Sequence, residues 1–218
     1  MAPEQTRDNI DQVRSYLRSA DPVLGSLIDA SAPFDPRERP SEVPVMNLFR
    51  VLLFQIAGQQ LSVAATRRTL GRMEALFGGH LPTPLELLAA SPDDLRQVGL
   101  SWRKVATLRE VAQRLSDGRL NQDELDQLSD DDVIAQLTAI PGIGPWTAQG
   151  ALVLALGRED VVLSGDLALR KVIQRTYQLD HLPTPVEVLA IAEKWRPYRS
   201  VATRYLFSAS PGEADSAT

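Results

Sequence analysis

Apolar residues recur along the chain at intervals of three and four, as in Val13 and Leu17 and again in Leu48, Leu52, Leu53 and Ile56. That spacing lays an apolar stripe along one face of an α-helix. No long alternation of apolar and polar residues competes with it, so the pattern predicts an all-α protein. Several helix starts are written plainly. Thr83-Pro84-Leu85-Glu86 and Thr184-Pro185-Val186-Glu187 each put a hydroxyl at the N-cap, proline in the first turn and a carboxylate three residues on, the arrangement of a capping box. Ser129, followed by three aspartates, reads as another. The two LPTPxExL stretches, at 81–88 and 182–189, are read as one capping solution used twice, because their surroundings differ. The Pro, Asp and Arg-rich piece 32–44 reads as a connector and the tail 209–218 as disordered.

Composition narrows the chemistry. A chain of 218 residues suits one or two domains. It has no cysteine, which excludes disulfides, zinc knuckles, thiolate iron–sulfur clusters and cysteine nucleophiles. His80 and His181 are its two histidines, too few for a His-based metal site. The longest apolar run, Ala151–Leu156, is far below the ~18 residues of a membrane span. The start lacks a basic-then-apolar signal, and the expectation is a cytoplasmic or otherwise intracellular protein with no membrane partner. The formal charge of -5 argues against coating nucleic acid by bulk charge. Yet residues 46–118 carry 9 basic and 6 acidic side chains, against 1 and 6 in 119–135, so a local basic face remains open.

The most specific stretch is Leu137-Thr-Ala-Ile-Pro-Gly-Ile-Gly-Pro-Trp-Thr-Ala148, placed between two helical segments. Its glycines remove side chains from the turn, so that backbone N–H groups can approach a phosphate at the second helix's N-terminus. Taken alone, the turn reads equally well as an ordinary joint between helices. About twenty residues on, Val162-Leu-Ser-Gly-Asp-Leu-Ala-Leu-Arg-Lys171 ends an extended apolar run at a turn and opens an amphipathic helix at Asp166. By itself Asp166 is a helix cap, and Trp146 by position is a core aromatic at a helix start.

Hairpin and helix-opening Asp together resemble the HhH-GPD superfamily of DNA base-excision glycosylases, in which a helix-hairpin-helix is followed by a loop ending in the catalytic Asp. Three further stretches resemble the alkylpurine branch, 3-methyladenine DNA glycosylase II. Ile56-Ala-Gly-Gln-Gln-Leu-Ser-Val63 is similar to its GQQLS loop, Val98-Gly-Leu-Ser-Trp-Arg-Lys-Val105 to its second DNA-facing turn, and Trp195-Arg-Pro-Tyr-Arg-Ser200 to its WxPxRS segment. The resemblance implies two helical subdomains flanking a cleft. One is a central domain of 46–150 with the helix-hairpin-helix at about 131–156, and the other combines 1–45 with 151–218 and carries Asp166. It also implies a monomeric, monofunctional glycosylase that needs no cofactor. Such an enzyme flips 3-methyladenine or 7-methylguanine out of damaged double-stranded DNA and hydrolyses the N-glycosidic bond.

In that reading Asp166 is catalytic, while Trp146 and Phe207 form the base pocket, the indole attracting a cationic purine. Trp146 stands where strand-cutting relatives carry a Schiff-base lysine, and indole cannot form one. Gln60 and Leu61, with Leu100 or Ser101 from the second turn, are the candidates to fill the gap left in the base stack. Gly142, Gly144, Thr147 and Lys104 hold the DNA backbone. The carbonyls of Thr138, Ile140 and Ile143 hold a structural Na+ or K+. Two alternatives stay open: a glycosylase of the same fold for another lesion, and a non-catalytic helix-hairpin-helix protein that recognises damaged DNA. Asp166 and Trp146 together count against the second.

Overall fold

Residues 3–31 and 47–209 are described by the computed structural model. The connector expected at 32–44 and the tail after 209 lie outside them. Among the described residues every regular element is helical. In chain order these are α1 (Pro3–Ala20), α2 (Pro22–Ala30), α3 (Leu48–Gly58), α4 (Val63–Leu76), α5 (Pro84–Ala89), α6 (Pro92–Gln97) and α7 (Trp102–Ser116). Then come α8 (Gln122–Asp126), α9 (Asp130–Thr138), α10 (Pro145–Leu154), α11 (Leu167–Thr176), α12 (Pro185–Ala192), a 3-10 turn at Glu193–Trp195, and α13 (Arg199–Ser208). None of the described helices is long and apolar enough to cross a membrane.

The helices begin where the local chemistry said they would. Thr83 and Thr184 both form complete capping boxes, with Glu86 and Glu187 reaching back to the cap N–H. At Ser129 the hydroxyl oxygen accepts from Asp132 N at 3.2 Å, but the aspartate is too short to return to the backbone and takes the hydroxyl proton instead, at 2.6 Å.

The chain divides into two compact units, Pro44–Gly157 and the pair Met1–Val43 with Arg158–Ala217. In the middle unit α3 is the axis. Eight of its eleven residues are buried, as expected of a helix apolar nearly all round, and α4, α7 and α10 pack against it. Helix α5 lies on α7, and α9 pairs with α10.

The unit made from both ends of the chain packs α1 on α2 and α13 on α2 and α11. Val13, Leu17, Leu24, Val172, Ile173, Val188, Trp195, Tyr205 and Leu206 form its core. Within that core sits a carboxylate. Asp21, wholly buried, caps α2 by accepting from Val23 N (3.0 Å) and Leu24 N (3.3 Å). It also takes hydrogen bonds from Trp195 Nε1 (2.8 Å) and the Tyr177 hydroxyl, and pairs with Lys194 Nζ at 3.0 Å. A buried charge is tolerable only when its oxygens are filled in this way.

Candidate active site

The hairpin between α9 and α10 is closed by Ile143 N donating to Ile140 O at 3.0 Å. Gly142 has φ +97, and a Cβ there would overlap Thr107 Oγ1. That hydroxyl lies 2.9 Å from Pro141 O and 3.0 Å from Arg103 O, tying the turn to α7. Gly144 is different: it is the N-cap of α10, and a Cβ there would meet nothing within 4 Å. Every other helix from α2 to α12 starts with a side chain that accepts from its first turn, whereas α10 starts without one. The dipole of α10 favours negative charge at such an N-terminus.

Trp146, in the first turn of α10, is 38% exposed. Thr147 beside it is buried. The carbonyls of Thr138, Ile140 and Ile143 are neutral oxygens. Neutral carbonyl oxygens are hard donors, which suit hard cations and not soft ones. Among the described residues no group of His, Asp or Glu gathers as a metal site.

The turn from α3 to α4 holds Gln60 and Leu61, the two residues expected to act as a wedge. Gln60 adopts φ +60, a conformation non-glycine residues rarely hold, and Leu61 after it is 42% exposed. Gln59 Nε2 donates to Gly142 O at 3.1 Å, binding this turn to the hairpin. From α7, Lys104 Nζ donates to Ala57 O at 2.8 Å and Gln59 O at 2.7 Å. Burial of this ammonium lowers its pKa.

Leu100, expected to share the wedging, has no exposed surface and packs in the core. The outward part of that second turn is Ser101, the N-cap of α7, and Trp102, 56% exposed with the Arg96 guanidinium 5.3 Å from its ring centroid. Trp102 went unnoticed in the sequence because an aromatic beside a cap looks the same whether it packs inward or outward.

In the other unit, Asp166 is the N-cap of α11 and half-buried, its Oδ1 accepting from Leu169 N at 2.8 Å. Capping leaves acceptor capacity on the carboxylate, so cap and chemistry are compatible. The loop leading to it, from Arg158, is pinned by the Trp195–Ser200 stretch. Ser200 Oγ accepts from Val161 N at 3.0 Å and donates to Val161 O at 2.9 Å, while Ser200 N donates to Glu159 O at 2.8 Å. Arg199 Nε bonds Asp160 Oδ1 at 2.7 Å, and Arg196 pairs with the same carboxylate at 2.8 Å. Trp195 roots the stretch on Asp21. Phe207 is partly buried against this unit's core.

Residues 54–197 match the model of the HhH-GPD superfamily of base excision DNA repair proteins. The chain belongs to this superfamily. It is 32% identical over 164 residues to DNA-3-methyladenine glycosylase 1 of Schizosaccharomyces pombe, covering 74% of this chain and 72% of that one. Identity to DNA-3-methyladenine glycosylase 2 of Escherichia coli is 28% over 171 residues, 74% of this chain. The chain spans only 57% of that bacterial relative and 58% of the DNA-3-methyladenine glycosylase of Bacillus subtilis. The solved 3-methyladenine DNA glycosylase of S. pombe in complex with abasic DNA superposes with a TM-score of 0.80 at 27% identity, covering 90% of this chain and 95% of that chain. The all-α HhH-GPD fold read from the sequence is the fold of this protein.

Proposed function

We propose that this HhH-GPD protein is a monomeric DNA glycosylase that removes alkylated purines, 3-methyladenine and 7-methylguanine, from damaged double-stranded DNA and leaves the strand uncut. The observation that carries the reading is Asp166 at the start of α11, on a loop locked by Arg199 and Ser200, in a chain whose hairpin helix starts without a side-chain cap. The relatives named above support the substrate class.

An alkylated purine is cationic and departs with the bonding electron pair, needing no proton. The C1′–N bond breaks and the sugar becomes an oxocarbenium-like cation. The Asp166 carboxylate stabilises that cation and orients a water, whose oxygen bonds C1′ as its proton passes to the carboxylate. Trp146 offers an indole face that attracts a cationic base by ~0.5–2 kcal/mol, and Phe207 supplies a second aromatic contact. Gln60 and Leu61, with Ser101, fill the space the base vacates. Gly142, Gly144 and the Thr147 N–H receive phosphate. The carbonyls of Thr138, Ile140 and Ile143 would hold a monovalent cation, which neutralises phosphate charge when bound.

Asp166→Asn tests the reading. Asparagine caps a helix as well as aspartate does, so the fold is kept. Release of 7-methylguanine from methylated duplex should fall by ~10²–10³ while affinity for abasic-site DNA is retained. Release at the parent rate would overturn the mechanism.

A further inference from the structure

We propose that Lys104 is a positioning residue that braces the base-stack wedge, and that it makes no phosphate contact. The inference rests on the glycosylase reading for the role of the wedge, but its observations are independent of it. Helix α3 ends at Gly58, and the last carbonyls of a helix have no partner within it and carry its negative pole. Lys104 Nζ, arriving from α7, binds the carbonyls of Ala57 and Gln59 at 2.8 and 2.7 Å. Two of its three donors are thus spent on the root of the turn, in a half-buried position where aiming the ammonium at DNA would forfeit both bonds.

The turn needs such a brace. Gln60 sits at φ +60, and a non-glycine residue stays in that region only where its surroundings over-determine it. Lys104 holds one side. On the other, Gln59 Nε2 holds Gly142 O at 3.1 Å, so the wedge turn and the phosphate-facing hairpin are linked through one residue. Leu61, 42% exposed, stands on this support. A wedge that opens a base stack must resist being pushed back, and a turn released from α7 would yield.

The test uses the full chain. Lys104→Met keeps the aliphatic stem and removes the donors. Affinity for an abasic-site duplex is measured across a salt series, and base extrusion by the fluorescence of 2-aminopurine beside the lesion. A lost phosphate contact flattens the plot of log affinity against log salt by about 1. A lost brace leaves that slope at the parent value while the extrusion signal per bound complex and the single-turnover release of 7-methylguanine fall together, about tenfold. Leu61→Ala should add little in the Lys104→Met background, since both act on one element.

A flattened slope with unchanged extrusion overturns the proposal. If Lys104→Met does not fold, Gln59→Leu cuts the opposite brace with no change of charge and must lower extrusion likewise; unchanged extrusion there also overturns it. A parent protein that releases no base from any methylated duplex refutes the glycosylase reading instead. Parent and variant releasing base equally refutes the brace alone.

Discussion

At the scale of single residues, the two glycines of the hairpin have separate duties. Gly142 is needed for shape: its φ of +97 and the contact its Cβ would make with Thr107 both oppose a side chain. Gly142→Ala should cost more than about 1 kcal/mol of stability, read as a lower midpoint in urea. Gly144, in the proposed reading, leaves room for a phosphate. It has ordinary extended dihedrals and open space around it, and aspartate is a favoured N-cap. Gly144→Asp should therefore fold at least as stably as the parent yet bind DNA about tenfold more weakly, because a carboxylate now occupies the phosphate's place. Undiminished DNA affinity in a folded Gly144→Asp protein would mean that the start of α10 does not receive phosphate. The turn was legible in the sequence, but the division between its glycines depends on Thr107, 35 positions away.

At the scale of elements, Asp21 joins α2, the end of α11 and the turn before α13. Burial opposes its ionisation, but the hydrogen bonds from Tyr177, Trp195, Lys194 and Leu24 N outweigh that and hold its pKa below the ordinary carboxylate value. A group with a depressed folded pKa contributes stability above its unfolded pKa, ~3.9 for Asp, and loses it as pH falls through that value to the folded one. Asp21→Asn should be less stable than the parent at pH 7 by about 2 kcal/mol, and the gap should shrink as pH falls from about 5 toward 2. Thermal unfolding of both proteins across that range measures it. Glu86 and Glu187, each lowered to about 2 by the backbone and hydroxyl of its capping threonine, add acid sensitivity to both proteins equally and cancel. A gap that is constant with pH would show that Asp21 acts through shape and not charge.

At the scale of the whole molecule, the chain has three lysines, Lys104, Lys171 and Lys194. Lys104 is bound to carbonyls and Lys194 to Asp21, while Lys171 is exposed on α11. A strand-cutting glycosylase needs an amine that attacks C1′, and the proposed reading puts Trp146, which has no amine, at that place in the hairpin. Borohydride should thus trap no covalent adduct with DNA during turnover; an adduct lost in Lys171→Ala would overturn the monofunctional assignment. What the sequence determined by itself was everything set within one helical turn: the all-α class, the capping boxes at Thr83 and Thr184, the glycine hairpin and the cap at Asp166. These follow from periodicity and from hydrogen bonds spanning three or four residues, which a linear reading contains. Tertiary structure alone decided which of two leucines in similar turns, Leu61 or Leu100, faces outward, that Lys104 serves a helix end 45 residues earlier, and that Ser200 locks Val161 in the loop before Asp166. Each choice depends on which distant surfaces pack together, and the same residue types, in the same local pattern, satisfy either outcome until that packing is formed.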